Sequence, residues 1–359
     1  MSTTKIPNAV DTVNAIRNEA SQAYRDAVPV ATPRNIQDVG NPILEYQSVQ
    51  NEFLTALVNK IAVTIVDQKM FENPLAFLRK GSIPLGLDVE DIYINPAKGA
   101  NYEPANFQGI LTPVDPDVKA AYYRRNRRDK YKVTIRNEQL TAAFVSWGAL
   151  ENLIAGIVNS LYTGNTIDEF NLTKSLLGGA TAEAKMVQEV LALPTTSAEN
   201  ATAFLTRLRG IASAMSFPSS DYNAYQLVGG ASPATSWTSM DDMVILVRAD
   251  VAANVDVQKL SAAFNLSYAD YVARQVIVDK FDGADNMYAW IGDRGAFQIR
   301  DSLRKMTEFY NSEVMAWTYW WHCWDTFALR PWANGVSFVT EKYTACFNWP
   351  GWASRPGLI

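Results

Sequence analysis

The amino-acid sequence predicts an α+β protein in which helices and strands form separate blocks. Apolar residues recur at three- and four-residue steps in the first sixty residues and again after residue 140, which is the spacing of amphipathic helices. The apolar run MVILV (243–247) is typical of a strand buried on both faces. Residues 81–136, between these blocks, are rich in glycine and proline and have no helical period. This block organisation favours the α+β class over a regular α/β alternation.

The first block, residues 1–60, is predicted to be an N-terminal arm followed by a helix. Asn41-Pro42 suits the start of that helix, with asparagine as N-cap and proline at the first helical position. IAVTIV (61–66) then has the composition of a strand. The predicted apolar face of the helix consists of Ile43, Tyr46, Val49, Phe53, Leu54 and Leu57.

Residues 81–135 are predicted to form a long two-stranded excursion with an irregular tip. The strand-like segments DIYI (91–94) and YKVTI (131–135) lie at its two ends, and we expect them to pair. A two-stranded ribbon alone is marginally stable in water. The ribbon therefore needs a surface to pack on, in its own chain or in another molecule.

Two helices are predicted after residue 140. Apolar residues from Phe144 to Leu161 recur on one face of the first helix. Thr166-Ile-Asp-Glu169 has the pattern of a capping box, which predicts the start of the second helix. Gly178-Gly179 predicts its end, because glycine adopts the left-handed conformation that terminates many helices.

The remaining chain predicts a compact α/β lobe and then a return to strands. KMVQEVLAL (185–193) favours a strand, and Ser197 is a predicted helix N-cap. The strand at 243–247, a helix opened by Asp256 and a strand at 274–279 favour a right-handed crossover. The strands predicted in the last hundred residues contain MYAWI, AFQIR, KMTEFY, MAWTYWWHCW and GVSFVT.

A positively charged stretch, residues 119–136, is called the basic segment below. It contains eight basic residues and one acidic residue and so carries +7; the whole chain carries −5, which leaves −12 on the rest. Such a segment could bind nucleic acid, an anionic membrane surface or acidic protein, including another copy of the chain. The pI near 5.1 argues against a dedicated nucleic-acid-binding protein. The basic residues are Lys119, Arg124, Arg125, Arg127, Arg128, Lys130, Lys132 and Arg136.

The sequence contains none of the common motifs of enzymes or cofactor sites, such as GxxxxGK[ST], GxGxxG, GxSxG or CxxC. The single histidine, His322, cannot form a histidine-based metal site alone, and the adjacent Cys323 would point to the opposite face of a strand. We therefore predict a structural histidine, no catalytic residues, no metal site, no cofactor and no enzymatic activity. Cys323 and Cys346 predict buried, reduced thiols rather than a disulfide framework.

Seven of the ten tryptophans lie between Trp317 and Trp352. We interpret them as a bulky core strand and a subunit interface rather than an exposed platform for bases or sugars. The first residues lack the apolar core of a signal peptide, and the uncharged runs are too short or too polar to span a bilayer. We therefore expect a soluble protein that is synthesised inside a cell.

The order of arm, long β excursion, long helix, α/β lobe and return to β resembles the Hong Kong 97-like fold of tailed-bacteriophage major capsid proteins. Specific segments are similar to the major capsid proteins of small phi29-like podoviruses, and they cover nearly the whole chain. The segments are DTVNAIRNEA (11–20), VGNPILEYQSVQNEFLTALVNKIAV (39–63), NPLAFLRKGSIPLGLDVEDIY (73–93), RNRRDKYKVTI (125–135), LTAAFVSWGALENLI (140–154), LSAAFNLSYADYV (260–272) and TYWWHCWDTFALRPWANGVSFVT (318–340).

The resemblance implies a division into five parts. Some members of the group carry an immunoglobulin-like domain after the last strand; nineteen residues follow Thr340 here, so we expect no such domain. The implied parts are an N-terminal arm and helix (1–60), a peripheral domain with a long spine helix (61–80, 136–217 and 303–345), an extended loop (81–135), an axial domain (218–302) and a C-terminal tail (346–359).

The resemblance also implies a function. It is that of a major capsid protein that self-assembles as pentamers and hexamers into an icosahedral or prolate head around double-stranded DNA. The implied partners are a scaffolding protein, a portal protein and packaged DNA bound without sequence specificity, with no membrane partner. The implied location is the virion, after assembly in the host cytoplasm. The alternatives are an encapsulin-like nanocompartment shell, a nucleic-acid-binding module that uses residues 119–136, and an enzyme with an unrecognised site.

In the family that the chain resembles, the extended loop reaches over a neighbouring subunit. Arginine suits such a contact because its guanidinium group binds carboxylates in a bidentate manner and stacks on aromatic rings. The residues expected to make inter-subunit contacts are Arg124, Arg125, Arg127, Arg128, Lys130 and Lys132.

Overall fold

The computed structural model describes residues 9–61, 71–99, 113, 115–225, 227, 233–254 and 275–344. Helices and strands occur in separate blocks, which confirms the predicted α+β class. The chain divides into two compact units. The first unit comprises residues 1–73, 128–169 and 303–324, and the second comprises residues 74–127, 170–302 and 325–359.

The helices of the described residues are α1 (Ala9–Glu19), α2 (Gln22–Ala27), α3 (Ile36–Glu45), α4 (Gln47–Ile61), α5 (Asn137–Ala143), α6 (Trp147–Val158), α7 (Gly164–Ala182), α8 (Ala198–Met215) and α9 (Ala249–Asn254), with a π-helix at Asn159–Thr163. The strands are β1 (Arg79–Ser82), β2 (Val89–Ile94), β3 (Val118–Tyr123), β4 (Arg127–Arg136), β5 (Val187–Val190), β6 (Met243–Arg248), β7 (Gln275–Val278), β8 (Met287–Asp293), β9 (Phe297–Asn311), β10 (Ala316–Leu329) and β11 (Gly335–Val339).

The first unit is built around helices. Its apolar core combines one face of each of α1 to α6 with Trp317 and Tyr319 of β10. The Asn14 side chain exchanges two hydrogen bonds with the backbone of Ala31, at 2.9 and 2.8 Å, and so holds the chain after α2 against α1. Amphipathic helices of this length are stabilised mainly by such packing rather than by helix propensity.

The helix expected to begin at Asn41-Pro42 begins elsewhere, so that prediction is wrong. α3 begins at Ile36 and contains Pro42 in its interior, and a separate helix, α4, follows it. Proline lacks an N–H group, so α3 lacks one internal hydrogen bond. Complete burial of Val39 and Ile43 in the core of the first unit offsets that loss.

The second unit contains a five-stranded sheet of order β5-β11-β8-β6-β7, with helices on both faces. Val244 and Leu246 share a core with α7, whereas the alternate residues Ile245 and Val247 share a core with α8. A strand that is covered on both faces needs apolar side chains at every position. This confirms the predicted buried strand at 243–247 and gives the reason for its composition.

The ribbon predicted for residues 81–135 forms with a different partner strand. β2 pairs with β3 in antiparallel register, with Val89 opposite Tyr123. YKVTI (131–135) lies in β4, which pairs with β10 in a four-stranded sheet of order β1-β9-β10-β4. The expected pairing of 91–94 with 131–135 is therefore wrong. β3 closes a shorter loop with β2 than β4 would, which lowers the entropy cost of pairing.

α7 continues through Gly178-Gly179 and ends at Ala182, so the predicted helix end is wrong. Gly178 is required because the backbone of Asp282 packs closely against it, not because the helix ends there. A Cβ at Gly178 would lie 2.1 Å from the backbone oxygen of Asp282. Only a residue without a side chain allows this approach.

The two predicted helix starts have opposite outcomes. Ser197 caps α8, and its Oγ accepts a hydrogen bond from the backbone N–H of Asn200 at 3.1 Å, as predicted. α7 begins at Gly164 rather than at the proposed capping box, so that prediction is wrong. The Thr166 hydroxyl does not cap the helix but donates to the carbonyl of Tyr162 at 3.0 Å. A hydroxyl bonded to a carbonyl four residues earlier belongs to a helix interior.

Other predictions have clear outcomes or fall outside the described residues. The strands at 185–193 and 274–279 are confirmed, and β7 is parallel to β6. The strands predicted in the last hundred residues are confirmed as β8 to β11. The helix opened by Asp256, most of the strand at 61–66 and the tail at 346–359 lie outside the described residues. The boundaries inferred for the five parts stay predictions.

Candidate subunit interface

The ribbon formed by β2 and β3 has two faces, because side chains alternate along a strand. One face packs on the second unit itself. The Tyr93 hydroxyl donates to the carbonyl of Thr235, and its ring stacks on Trp332 with the centroids 5.7 Å apart. Asn95 donates to the carbonyl of Pro233 at 2.8 Å and accepts from the N–H of Thr235 at 3.0 Å.

Charged groups add to this packed face. Arg330 donates two hydrogen bonds to the carboxylate of Asp91, at 2.7 and 3.1 Å. The Tyr123 hydroxyl also donates to Asp91, at 3.4 Å; burial, followed by the charge of Asp91, raises the pKa of Tyr123 above its ordinary value. Lys119 is buried with its Nζ 3.1 Å from the carboxylate of Asp117. Lys119 of the basic segment therefore contributes to the fold of its own subunit.

The opposite face of the ribbon is exposed and largely apolar. Ile92, Ile94 and Val118 are 55%, 58% and 51% exposed, and Tyr122 is 60% exposed. Ile94 lies opposite Val118, and Tyr122 lies opposite Glu90, to which its hydroxyl donates at 2.9 Å. Apolar patches of this kind, bordered by polar groups, are typical of protein–protein interfaces. We call these side chains the exposed ribbon face.

Arg127 is buried at the start of β4. Its Nη1 lies 2.8 Å from Oδ2 of Asp325, and the two side chains are 4% and 0% exposed. Its Cζ lies 5.9 Å from the ring centroid of Phe327. The side chain of the preceding residue, Asn126, exchanges two hydrogen bonds with the backbone of Phe327, at 2.7 and 2.9 Å. The structure thus places Arg127 in the interior of its own subunit, and we correct the sequence prediction by removing it from the proposed inter-subunit contacts.

Arg124, three residues earlier, is exposed. Its side chain is 84% accessible, and its Nε lies 3.2 Å from a carboxylate oxygen of Asp88. An ion pair this exposed contributes about 0–1 kcal/mol, so little free energy opposes exchange of Asp88 for a carboxylate of another molecule. The adjacent Arg125 is half-buried.

The first unit contributes the remaining cations of the predicted set. Arg128, Lys130 and Lys132 occupy alternate positions of β4, and all three are exposed, so they share one face of the strand. The guanidinium carbon of Arg128 lies 5.6 Å from the ring centroid of Trp324, which is a cation–π distance. These three residues, with Arg124 and Arg125, stay predicted contact residues.

The tryptophan-rich strand β10 lies largely in the interior of the protein. Trp317 and Trp332, the latter just beyond the strand, are buried, which confirms the core interpretation for these two. Cys323 is also buried, as predicted. Nε2 of His322 lies 2.9 Å from the hydroxyl of Thr307 on the neighbouring strand β9. This contact joins two neighbouring strands of one sheet, as expected for a histidine with a structural role.

Comparison with protein families shows what kind of protein carries these surfaces. A family model described as Phi29-like phage major capsid protein matches residues 13–339. The chain belongs to this family. Its function is therefore that of a major capsid protein, a structural component of a bacteriophage virion.

Individual relatives agree with the family match. The major capsid protein of Bacillus phage PZA is 32% identical over 343 residues, which cover 95% of this chain and 75% of the relative. That of Bacillus phage B103 is 32% identical over 338 residues, covering 93% and 74%. That of Streptococcus phage Cp-1 is 26% identical over 332 residues, covering 87% and 89%.

Solved structures show the fold. The capsid structure of Staphylococcus phage Andhra matches with a TM-score of 0.63 at 15% identity, covering 77% of this chain and 88% of that chain. A structure of the head fiber and inner core protein gp22 of native bacteriophage P68 matches with a TM-score of 0.60 at 16% identity, covering 77% and 87%. The expected Hong Kong 97-like capsid fold is confirmed. Within the described ranges, no helix is long and apolar enough to cross a membrane.

Proposed function

We propose that copies of this chain assemble as pentamers and hexamers into a closed icosahedral or prolate head around double-stranded DNA. Membership of the capsid family supports this role. The observation that carries the proposed subunit contact is the exposed ribbon face, which presents apolar side chains next to the exposed cation Arg124. A patch of one subunit that docks on a different patch of the next gives rings when the rotation closes.

The proposed contact combines apolar burial with charge complementarity. The ribbon face supplies the apolar area, and Arg124 beside it meets a carboxylate of a neighbouring copy, whose residues outside the basic segment carry −12. Lys130 and Lys132, in the first unit, make separate contacts of the same kind. Each exposed ion pair contributes only about 0–1 kcal/mol. Repetition across a shell multiplies such weak contacts, and their individual weakness lets a misplaced subunit dissociate during assembly.

Further partners and the absence of catalysis belong to the same proposal. A scaffolding protein and a portal protein take part in assembly, which occurs in the host cytoplasm. Packaged DNA is held by confinement and brings its own counterions, so contacts that read its sequence are not required. The role of the chain is structural and not enzymatic.

Charge reversal at the proposed contact tests its contribution to assembly. The test variant is Arg124→Glu/Lys132→Glu, and the control is Arg34→Glu/Arg209→Glu, which changes the net charge equally at exposed positions outside the basic segment. Arg127 stays unchanged, because a glutamate beside the buried Asp325 would unfold the protein.

The readout is negative-stain electron microscopy of the expressed chain, with and without the scaffolding protein, over a series of salt concentrations. We expect shells, tubes or capsomer rings from the wild type and the control, and folded monomer from the test variant. Normal shells from the test variant would contradict the proposed contact. A wild-type subunit that never assembles with scaffold, yet binds duplex DNA with steep salt dependence, would favour the nucleic-acid-binding alternative.

A further inference from the structure

In the first unit, strands β4, β9 and β10 place one set of side chains opposite the helices. The hydroxyl oxygens of Thr134 and Thr318 lie 3.2 Å apart, and Nε2 of His322 lies 2.9 Å from the hydroxyl of Thr307, so these four side chains share one face of the sheet. Trp317, next to Thr318, points to the other face and belongs to the core that the helices form. The first of these faces is therefore the one turned away from the helical core.

Cations and aromatic rings make up this face. Side chains alternate along a strand, so the even positions of β4 and β10 and the odd positions of β9 belong to it. None of these positions within 128–136, 303–311 and 316–324 holds an acidic residue. The cations named next are exposed and the two tryptophans are half-buried. We call the side chains of Arg128, Lys130, Lys132, Lys305, Trp320 and Trp324 the open sheet face.

The exposed ribbon face has a composition that complements the open sheet face. Glu90 is exposed and lies two positions from Ile92 along β2, so its carboxylate is on the same face as the isoleucines. Arg124, beside that face, already lies 3.2 Å from Asp88. Burial of Ile92 and Ile94 is favourable against apolar atoms, which tryptophan rings supply. A nucleic acid would match the cations of the open sheet face but would leave the isoleucines of the ribbon in water.

We propose that the exposed ribbon face of one copy docks on the open sheet face of a neighbouring copy. The isoleucines of the ribbon cover Trp320 and Trp324, and the carboxylate of Glu90 meets Lys130 or Lys132. Each copy carries both surfaces, so the contact is heterologous and continues from copy to copy until a ring closes. This contact rests on the proposed function, the assembly of identical copies, and assigns the surface that receives the ribbon.

Charge exchange between the two surfaces tests this contact in the full-length chain, with sedimentation of shells as the readout. Lys130→Glu/Lys132→Glu places like charges opposite Glu90 of the neighbour, so we expect half-maximal assembly to need an at least about tenfold higher protein concentration than in the wild type. Addition of Glu90→Lys should restore assembly to within about threefold of the wild type. The control, Glu45→Lys at the exposed end of α3, changes the net charge equally and should not restore assembly.

Three results would overturn the proposal. The first is normal assembly of Lys130→Glu/Lys132→Glu. The second is equal restoration by Glu90→Lys and Glu45→Lys, which would show an effect of net charge alone. The third is salt-dependent binding of a DNA oligonucleotide, single-stranded or duplex, that the wild-type subunit shows and the lysine variant loses while its assembly is unchanged. That result would assign the open sheet face to nucleic acid.

Failure of this contact and failure of the proposed function give different results. Loss of assembly in Ile92→Ser/Ile94→Ser, together with normal assembly of Lys130→Glu/Lys132→Glu, would reject the open sheet face as the receiving surface and leave the ribbon contact in place. A wild-type chain that never assembles would reject the proposed function itself. If circular dichroism shows that Lys130→Glu/Lys132→Glu is unfolded, Lys130→Gln/Lys132→Gln replaces it, with an expected rise of about threefold in the concentration for half-maximal assembly.

Discussion

Arg124 and Arg127 lie three residues apart in the basic segment, yet their environments are opposite. Arg127 is 4% exposed and pairs with the buried Asp325 at 2.8 Å, whereas Arg124 is 84% exposed and lies 3.2 Å from Asp88. The ribbon shows the same contrast between its packed and its exposed face. A run of basic residues therefore does not identify an interface by itself. Burial decides which of these cations stabilise the subunit and which remain available to another molecule.

The largest expected difference is between alanine variants of the two arginines. Arg127→Ala removes a cation that lies 2.8 Å from the buried carboxylate of Asp325, so we expect a loss of about 3–5 kcal/mol in the free energy of unfolding. Arg124→Ala should cost no more than about 1 kcal/mol, because water replaces the lost ion pair. Urea unfolding of the unassembled subunit, followed by tryptophan fluorescence, measures both values.

A double variant separates pairing from packing at the same site. Arg127→Met/Asp325→Leu removes both charges and keeps apolar volume, so it should recover most of the stability that Arg127→Ala loses. Equal losses from the Arg127→Ala and Arg124→Ala variants would contradict the distinction between buried and exposed arginines.

Two glycines in helices extend the comparison of packed and exposed positions. Gly178→Ala places a methyl group 2.1 Å from the oxygen of Asp282, and we expect a loss of about 1–3 kcal/mol from overpacking. At Gly210 in α8 a Cβ meets no atom within 4 Å, so Gly210→Ala should stabilise the protein by about 0.5–1 kcal/mol. Thermal unfolding of both variants measures the difference. Stabilisation by Gly178→Ala would show that α7 can move away from the turn at Asp282.

A half-buried lysine, Lys80, should make the stability of the protein depend on pH. Lys80 donates to the carbonyl of Gly295 at 2.7 Å; burial, followed by the charges of Arg330 and Arg300, lowers its pKa from 10.5 to about 8. At a pH between about 8 and 10.5, Lys80 is protonated in the unfolded chain but has lost its proton in the folded protein. The contribution of Lys80 to stability therefore rises as the pH rises from about 8 towards 10.5.

Comparison of the free energy of unfolding at about pH 7.5 and about pH 9.5, in the wild type and in two lysine variants, measures this contribution, because the titration of all other groups is common to the three proteins. Lys80→Met should give a smaller rise in stability with pH than the wild type. Lys132→Met, at an exposed position, should keep the wild-type rise. Equal rises in all three proteins would show that Lys80 has the same pKa in the folded and unfolded chains.

The smallest effect on stability is expected from the exposed ribbon face. Ile92→Ser/Ile94→Ser should change the free energy of unfolding by no more than about 0.5 kcal/mol, because these side chains are exposed in the subunit. The same variant should remain in the supernatant under conditions in which wild-type shells sediment. Tyr93→Ser, on the packed face, should instead destabilise the subunit itself, since it removes the stacking on Trp332. Shells of normal yield from the double variant would remove the ribbon face from the assembly contact.

The sequence predicted correctly those helices and strands whose structure is determined by residues within the same short segment. The apolar run at 243–247 indicates a strand covered on both faces, and Ser197 supplies the side chain that caps α8. The joint order of the parts and the similar segments gave the family, which the family match confirms.

The features that were missed depend on a second segment of the chain. Gly178 suits a helix end, and only the approach of Asp282 shows why the helix continues. The composition of YKVTI indicates a strand but does not specify its partner, which is β10 in the folded chain. The exposed ribbon face was missed for the same reason. In VEDIYI the isoleucines share one face and Asp91 lies on the other, and the face with Asp91 packs inward, where Arg330 donates to its carboxylate.

A side-chain-resolution cryo-electron microscopy reconstruction of the assembled head tests the proposed subunit contact most directly. We predict that Ile92, Ile94 and Val118 are buried against a neighbouring subunit. We further predict that the guanidinium group of Arg124 lies within about 4 Å of a carboxylate of that neighbour. A head in which the exposed ribbon face stays open to solvent, with Arg124 still paired to Asp88 of its own chain, would contradict the proposal.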